Sequence, residues 1–110
     1  EVQCIALIED FEAIDNLPEL TKVKGIDIFY VAPSDMAASM GHTGDPGHPE
    51  VQAALERAIK LVIEGGGVAG TLANDSNIEK FLAMGVKCVG VPWQMWLKQS
   101  AEAFIEKTRS

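Results

Sequence analysis

Apolar residues along this chain concentrate in four short, largely apolar runs and in one long stripe at helical spacing. The runs cover Val2 to Ile8, Ile26 to Val31, Val68 to Leu72 and Lys87 to Val91. Each run has the length and apolar composition of a buried strand. The stripe predicts an amphipathic helix that packs on the sheet, and it consists of Val51, Ala54, Leu55, Ala58, Ile59 and Val62.

Helical segments and turns separate these runs. Two short helical turns are expected after the first strand, and further helices are expected before and after the last one. Their predicted bounds are Phe11 to Asn16, Pro18 to Thr21, Asn77 to Met84 and about Gln94 to Thr108. Strands that alternate with helices, with no linker between them, predict a parallel sheet. We therefore expect four successive strand-helix units.

Turn residues mark the ends of these units. Lys24 and Gly25 turn the chain into the second strand, and three glycines from Gly65 end the long helix, which Pro49 opens. A turn from Asn74 to Ser76 is expected to cap the next helix, which closes at Gly85. A long loop, Ser39 to His48, is rich in Gly, Pro and His, and we interpret it as functional rather than disordered.

The length restricts the fold. A closed α/β barrel needs about 250 residues, whereas this chain has 110. The prediction is a parallel (β/α) half-barrel forming a single partial domain over residues 1–110. The chain begins at Glu1, directly before a strand, so we expect it to continue a longer protein.

Composition and charge exclude several kinds of partner. The formal net charge is −7 and the Lys and Arg residues are scattered, which disfavours binding to nucleic acid. No apolar run approaches the roughly 20 residues of a membrane span, and no signal sequence opens the chain. Cys4 and Cys88 stand inside apolar runs, which predicts buried free thiols and a cytoplasmic, reducing location.

Two carboxylates follow the first two strands. Glu9 comes directly after Ile8, and Asp35 comes shortly after Val31. The carboxyl ends of neighbouring parallel strands lie on one edge of a sheet, so both side chains could reach one hard cation. With only two carboxylates, water and substrate oxygens would complete an octahedral shell, which suits Mg²⁺ or Mn²⁺ better than zinc. The alternative is that both residues cap the helices that follow.

Other residues have two interpretations each. A loop histidine is usually solvated or hydrogen-bonded locally, and we favour this interpretation for both His42 and His48. His42 is the better candidate for the rim of this site, whereas His48 stands where a helix cap belongs. The final helix has a heavy apolar content that could pack within the chain or on another subunit, and this content includes Trp93, Met95, Trp96, Leu97 and Phe104.

Four motifs, in order, resemble one known family. They are VAPSDMAASMG from Val31, GHPEVQAALERAI from Gly47, GTLA from Gly70 and MGVKCVGV from Met84. Together they are similar to the carboxyl-terminal half of the HpcH/HpaI aldolase family, which includes relatives of the citrate lyase β subunit. The resemblance implies that the half-barrel is the C-terminal part of a TIM-type (β/α)₈ barrel.

The resemblance also implies a chemistry. Family members are typically class II aldolases, in which a divalent metal chelates a 2-keto acid such as pyruvate and stabilises its enolate. On this basis Glu9 and Asp35 are the metal ligands, the N–H groups of Ser34 and Asp35 hold the substrate carboxylate, and Leu72 lines the pyruvate pocket. No catalytic residue is certain in this chain, because the family's Arg and His belong to strands upstream. The implied partners are a 2-keto acid and an aldehyde, with a homo-oligomeric assembly.

This chain departs from the family at three positions. Leu7 stands where many members have Gln, Ala32 replaces a glycine, and Pro92 replaces an acidic residue. Substrate orientation and the shape of the rim are therefore open. A citryl-CoA or malyl-CoA type lyase and a non-catalytic half-barrel that pairs with a partner chain stay as alternatives.

Overall fold

The computed structural model describes residues 1–109 as one parallel sheet with helices packed on it. The strands are β1 (Ile5–Ile8), β2 (Ile28–Val31), β3 (Ala69–Leu72) and β4 (Cys88–Gly90). The α-helices are α1 (Leu17–Leu20), α2 (Pro33–Ser39), α3 (Pro49–Glu64), α4 (Ile78–Met84) and α5 (Trp93–Thr108). A 3₁₀ helix (Phe11–Asn16) precedes α1.

The sheet order β1-β2-β3-β4 follows the chain, and every pairing is parallel. This confirms the predicted α/β class and the four strand-helix units. The strands are shorter than predicted, because pairing begins only at Ile5 in β1 and Val2 is exposed. The short α2 turns the chain away directly after β2.

The core lies between α3 and the sheet. All six residues of the apolar stripe are buried, as the spacing predicted, and α3 packs against β2 and β3. Phe29 and Val31 of β2 and Phe81 of α4 join this core. The buried Thr71 hydroxyl donates a hydrogen bond of 2.8 Å to the carbonyl oxygen of Val31, so this polar group is satisfied.

The turns differ from the prediction in one detail. Gly85 ends α4 with a left-handed φ of 101°, as expected. The turn at Asn74 also forms, since its side chain accepts hydrogen bonds from the N–H and hydroxyl of Ser76. These residues do not cap α4, however: Asn77 occupies the cap position and makes no side-chain cap bond, accepting instead from the Asn74 N–H at 2.8 Å.

The opposite face of the sheet is open, and this corrects the prediction for the cysteines. Strand side chains alternate between faces, so Ile5 and Leu7 of β1 point away from the buried Ile8 and are exposed. Cys4, which precedes β1, is exposed, and Cys88 on the open face is only half-buried; both thiols are free. Cys88 is not buried because no layer covers this face in the described part of the chain, and Cys4 is not buried because it precedes the paired part of β1.

The final helix is the least buried element. No residue of α5 is buried, and the apolar side chains from Trp93 to Phe104 are largely exposed. Packing within the chain, one of the two interpretations of its apolar content, is therefore wrong for the part that the structure describes. No helix within residues 1–109 has the length and apolar character needed to cross a membrane.

Candidate functional site

The carboxyl ends of β1 and β2 leave the sheet side by side. Ile8 pairs with Val31, and one residue later the Ala32 N–H donates to the Ile8 carbonyl oxygen at 3.0 Å. Glu9 follows directly on one strand, and Pro33 to Asp35 follow on the other. The segments that carry both predicted metal-ligand carboxylates therefore begin at the same edge of the sheet.

Glu9 does not cap the following helix. The capping residue is its neighbour Asp10, whose carboxylate accepts a hydrogen bond of 3.0 Å from the Glu12 N–H. Among the described residues, the exposed Glu9 carboxylate has no hydrogen bond or ion pair. The capping alternative is therefore wrong for Glu9.

Asp35 is the third residue of α2, next to the exposed Ser34. The first N–H in α2 to donate along the helix is that of Met36, to the Ala32 carbonyl oxygen at 2.9 Å. The N–H groups of Ser34 and Asp35 precede it, in the first turn, where helix geometry supplies no acceptor. A carboxylate in this turn also interacts favourably with the helix dipole, so the helix-stabilising alternative stays open for Asp35.

A cleft of about 390 Å³ lies beyond the ends of β2 and β3. Its lining includes Ser34, Leu72, Asn74, Ser76 and Pro92. The structure thus brings two predicted substrate-binding residues, Ser34 and Leu72, to one cleft. Glu9 and Asp35 are not part of this lining.

The loop between α2 and α3 carries a second polar cluster, formed by His42, His48 and Glu50. The His42 Nε2 lies 3.0 Å from the Glu50 carboxylate. His48 is the cap of α3, as predicted, and its Nδ1 accepts from the Glu50 N–H at 3.1 Å. The two imidazole rings stack with centroids 3.7 Å apart and planes at 18°.

This cluster has ligand atoms within 4.8 Å of one another, but its geometry opposes metal binding. The lone pair of an imidazole nitrogen lies in the ring plane, and two nearly parallel rings 3.7 Å apart cannot both aim such a lone pair at one ion. Moreover, the His48 Nδ1 already serves as a cap. The cluster is therefore better suited to ordering the loop, and His42 is directed to Glu50 rather than to Glu9 or Asp35.

Two groups in this part of the chain have shifted pKa values. The hydrogen bond from His42 lowers the pKa of Glu50 below its ordinary 4.5, and the charges of His42 and His48 act in the same direction. Partial burial raises the pKa of Tyr30 above its ordinary 10.0, with a smaller contribution from Cys88. Tyr30 therefore keeps its proton at neutral pH.

Sequence reasoning missed Tyr30 and the polar residues Asn74 and Ser76 of the cleft. Alternation within β2 would have assigned Tyr30 to the face opposite the buried Phe29. The pattern of Asn74 and Ser76 indicates a turn, and their position directly after β3, at the edge where Glu9 and Asp35 follow β1 and β2, is the signal that assigns them to the cleft.

Comparisons with known proteins agree on one family. The family model described as HpcH/HpaI aldolase/citrate lyase matches residues 1–96. A hydroxypyruvate/pyruvate aldolase of Cupriavidus necator is 41% identical over 102 residues, which cover 92% of this chain and 38% of that protein. A 4-hydroxy-2-oxo-heptane-1,7-dioate aldolase of Klebsiella pneumoniae is 41% identical over 93 residues, covering 83% of this chain and 35% of that protein.

Solved structures agree on the fold. A crystal structure of an HpcH/HpaI aldolase/citrate lyase family protein from Burkholderia cenocepacia superposes with a TM-score of 0.88 at 27% identity. The superposition covers 99% of this chain and 43% of that protein. The chain therefore spans less than half the length of each of these three proteins.

Proposed function

This chain belongs to the HpcH/HpaI aldolase/citrate lyase family, and we propose that it forms the metal-binding part of a class II aldolase. The substrate class is a 2-keto acid of the pyruvate type, joined to or released from an aldehyde. In this proposal residues 1–110 are the carboxyl-terminal half of the barrel. The two aldolase relatives support the reaction class.

One observation carries the proposal. Glu9 and Asp35 follow the carboxyl ends of two strands that pair in parallel register, and Glu9 is free of the capping role that Asp10 performs. Two carboxylates at one edge suit a hard divalent cation, Mg²⁺ or Mn²⁺, with open positions for substrate oxygens. Such a cation supplies a Lewis acid for the negative charge that develops on an enolate oxygen.

The chain's own residues would bind and orient the keto acid. The N–H groups of Ser34 and Asp35 would donate to its carboxylate, which is consistent with their lack of helical acceptors. Leu72, half-buried at the cleft, would pack against the apolar end of the keto acid. The Arg and His that assist proton transfer would come from the rest of the barrel.

Two further properties belong to the proposal. The exposed apolar surface of α5, where Phe104 is 70% exposed, supports a homo-oligomer in which this helix contacts another subunit. The two free thiols, Cys4 and Cys88, are consistent with a reducing cytoplasm.

The test is metal-dependent release of pyruvate by the full-length protein. Asp35→Ala should abolish metal-dependent pyruvate release, and added Mg²⁺ or Mn²⁺ should not restore it. Asp45→Ala is the control, because Asp45 is also an exposed acidic residue but does not follow a strand. Retained activity with an unchanged metal requirement in Asp35→Ala would exclude Asp35 as a ligand.

A further inference from the structure

Tyr30 is the one residue with a polar side-chain group that projects from β2 onto the open face of the sheet. It pairs in register with Leu7 on one side and with Gly70 on the other, and Gly70 pairs with Cys88. These four residues form a row across the sheet, on the face opposite the buried Phe29 and Val31. The face that carries Tyr30 is the interior face of the proposed barrel.

Two glycines make room for the Tyr30 ring. A Cβ at Gly70 would lie 2.9 Å from the Tyr30 Cδ2, so the ring lies directly over β3. A Cβ at Gly90 would lie 3.3 Å from the Tyr30 Cζ and closer still to the hydroxyl oxygen. The ring therefore runs diagonally from β2 across β3 to β4.

This diagonal raises the hydroxyl towards the carboxyl edge. Gly90 pairs with Leu72, one row nearer that edge than the row of Tyr30. The Leu72 Cδ1 approaches the same point above Gly90, at 3.4 Å from a Cβ built there. The Tyr30 hydroxyl and Leu72 thus meet at the level where the proposed substrate binds.

The hydroxyl makes no hydrogen bond to a described residue, although the Tyr30 side chain is half-buried. The hydroxyl oxygen is accessible, since no buried side-chain nitrogen or oxygen among the described residues lacks a partner, and Leu72 has no polar atom that could engage it. The ring carries the hydroxyl from β2 across β3 to the point above Gly90 on β4, which is the direction away from β1. A keto acid held by Glu9 and Asp35 would lie at the ends of β1 and β2, so the hydroxyl faces the side of the substrate that points towards β3 and β4.

We propose that the Tyr30 hydroxyl is a specificity-determining group that hydrogen-bonds an oxygen on the aldehyde-derived part of the substrate. This assignment rests on the proposed aldolase function. It predicts that the enzyme prefers an aldehyde with a hydroxyl on the carbon adjacent to the carbonyl group over an isosteric aldehyde without that hydroxyl. A neutral hydrogen bond of this kind changes kcat/KM by about three- to tenfold.

The experiment compares glycolaldehyde with propanal, in which a methyl group replaces the hydroxyl, as acceptors for pyruvate with Mg²⁺ present. In the full-length enzyme, Tyr30→Phe should lower the ratio of the two kcat/KM values by about three- to tenfold. An unchanged ratio would overturn the assignment, and so would an equal loss on both aldehydes, which is the result expected of a packing role.

A second variant moves the hydroxyl without removing it. Gly90→Ala places a methyl group against the Tyr30 hydroxyl, so it should lower the same ratio in the enzyme that retains Tyr30. Added to Tyr30→Phe, it should lower the ratio no further. Additive losses of the ratio in the double variant would contradict the assignment.

The outcomes separate this assignment from the proposed function. A wild-type enzyme that condenses pyruvate with neither aldehyde would refute the aldolase function, and the role of Tyr30 with it. An active enzyme whose ratio does not respond to Tyr30→Phe would refute only the role of Tyr30.

Discussion

The imidazole of His42 lies 3.0 Å from the carboxylate of Glu50, and this pair ties the loop after α2 to the first turn of α3. His48 stacks on His42 and caps the same turn. This loop is rich in Gly and Pro, and its composition alone does not define its conformation. Three side chains within nine residues thus order it.

The first prediction concerns the pH dependence of the stability that this loop gives to the protein. Because its pKa is lower in the folded protein than the ordinary 4.5, the Glu50 carboxyl contributes stability above that value and loses it as the pH falls through its folded pKa. Wild type should therefore exceed Glu50→Gln in thermal unfolding midpoint near pH 6, and the difference should narrow as the pH falls below 4.5.

The matched control for this prediction is Glu79→Gln. Glu79 is the second residue of α4, as Glu50 is of α3, and among the described residues it has no histidine partner. Its effect should stay small at every pH. A difference for Glu50→Gln that is equally large at low pH would rule out the ionised pair as its cause.

The second prediction concerns the close approach of Gly65 to α1. A Cβ at Gly65 would lie 2.8 Å from the Thr21 Cβ and closer to its hydroxyl, while the φ of −77° is ordinary. Gly65→Ala should therefore destabilise the protein by steric overlap, by about 1–3 kcal/mol in the free energy of unfolding. Gly47→Ala, where the nearest atom is 4.0 Å away, should change denaturant unfolding little.

The third prediction separates two neighbouring acidic residues. Asp10→Ala removes a helix cap and should cost about 1 kcal/mol of stability with the metal requirement unchanged. Glu9→Gln should leave stability nearly unchanged but lower metal-dependent activity by more than about 100-fold. Mutating a residue that only supports a metal ligand already costs up to about 100-fold, so the loss of a ligand should cost more. Chemical denaturation and a Mg²⁺ titration of activity measure the two effects.

Glu12→Gln serves as the control for Glu9→Gln, because Glu12 is also exposed and only three residues away. Equal losses of activity in the two variants would show a general effect of charge rather than a ligand at Glu9.

The fourth prediction tests the apolar surface of α5. Phe104→Glu should shift the full-length protein to a smaller species in light scattering after gel filtration, because a charge at a covered apolar contact is costly to bury. Gln99→Glu adds the same charge at an exposed polar position of the same helix and should leave the assembly intact. An unchanged mass in Phe104→Glu would contradict a subunit contact there.

The periodic parts of the fold could be predicted from the sequence because their signal is local. The spacing in α3 specified its buried face without knowledge of any partner, and Gly85 specified where α4 ends. The incomplete burial of Cys88 could not be predicted in this way, because both faces of a parallel sheet carry apolar residues. Which face is covered depends on elements that lie elsewhere in the chain.

The candidate site shows the same division. Glu9 and Asp35 could be identified because each follows an apolar run, and parallel pairing then brings their segments to one edge. Tyr30 could not be identified, because the position of its ring across the sheet depends on the absence of side chains at Gly70 in β3 and Gly90 in β4. These glycines lie about 40 and 60 residues further along the chain. Diagonal contacts of this kind become visible only when the register is known.

The order of the strands in the sheet is their order in the chain, and this has a consequence for folding kinetics. Each new strand pairs with the strand of the unit that precedes it in the chain. No strand therefore has to stay unpaired until a strand from a later, non-adjacent unit is made. The paired residues are nevertheless about 20 to 40 positions apart in the chain, and non-local parallel pairing of this kind slows folding. During synthesis the sheet can still grow by one strand at a time, with each α-helix closing over the strands already paired.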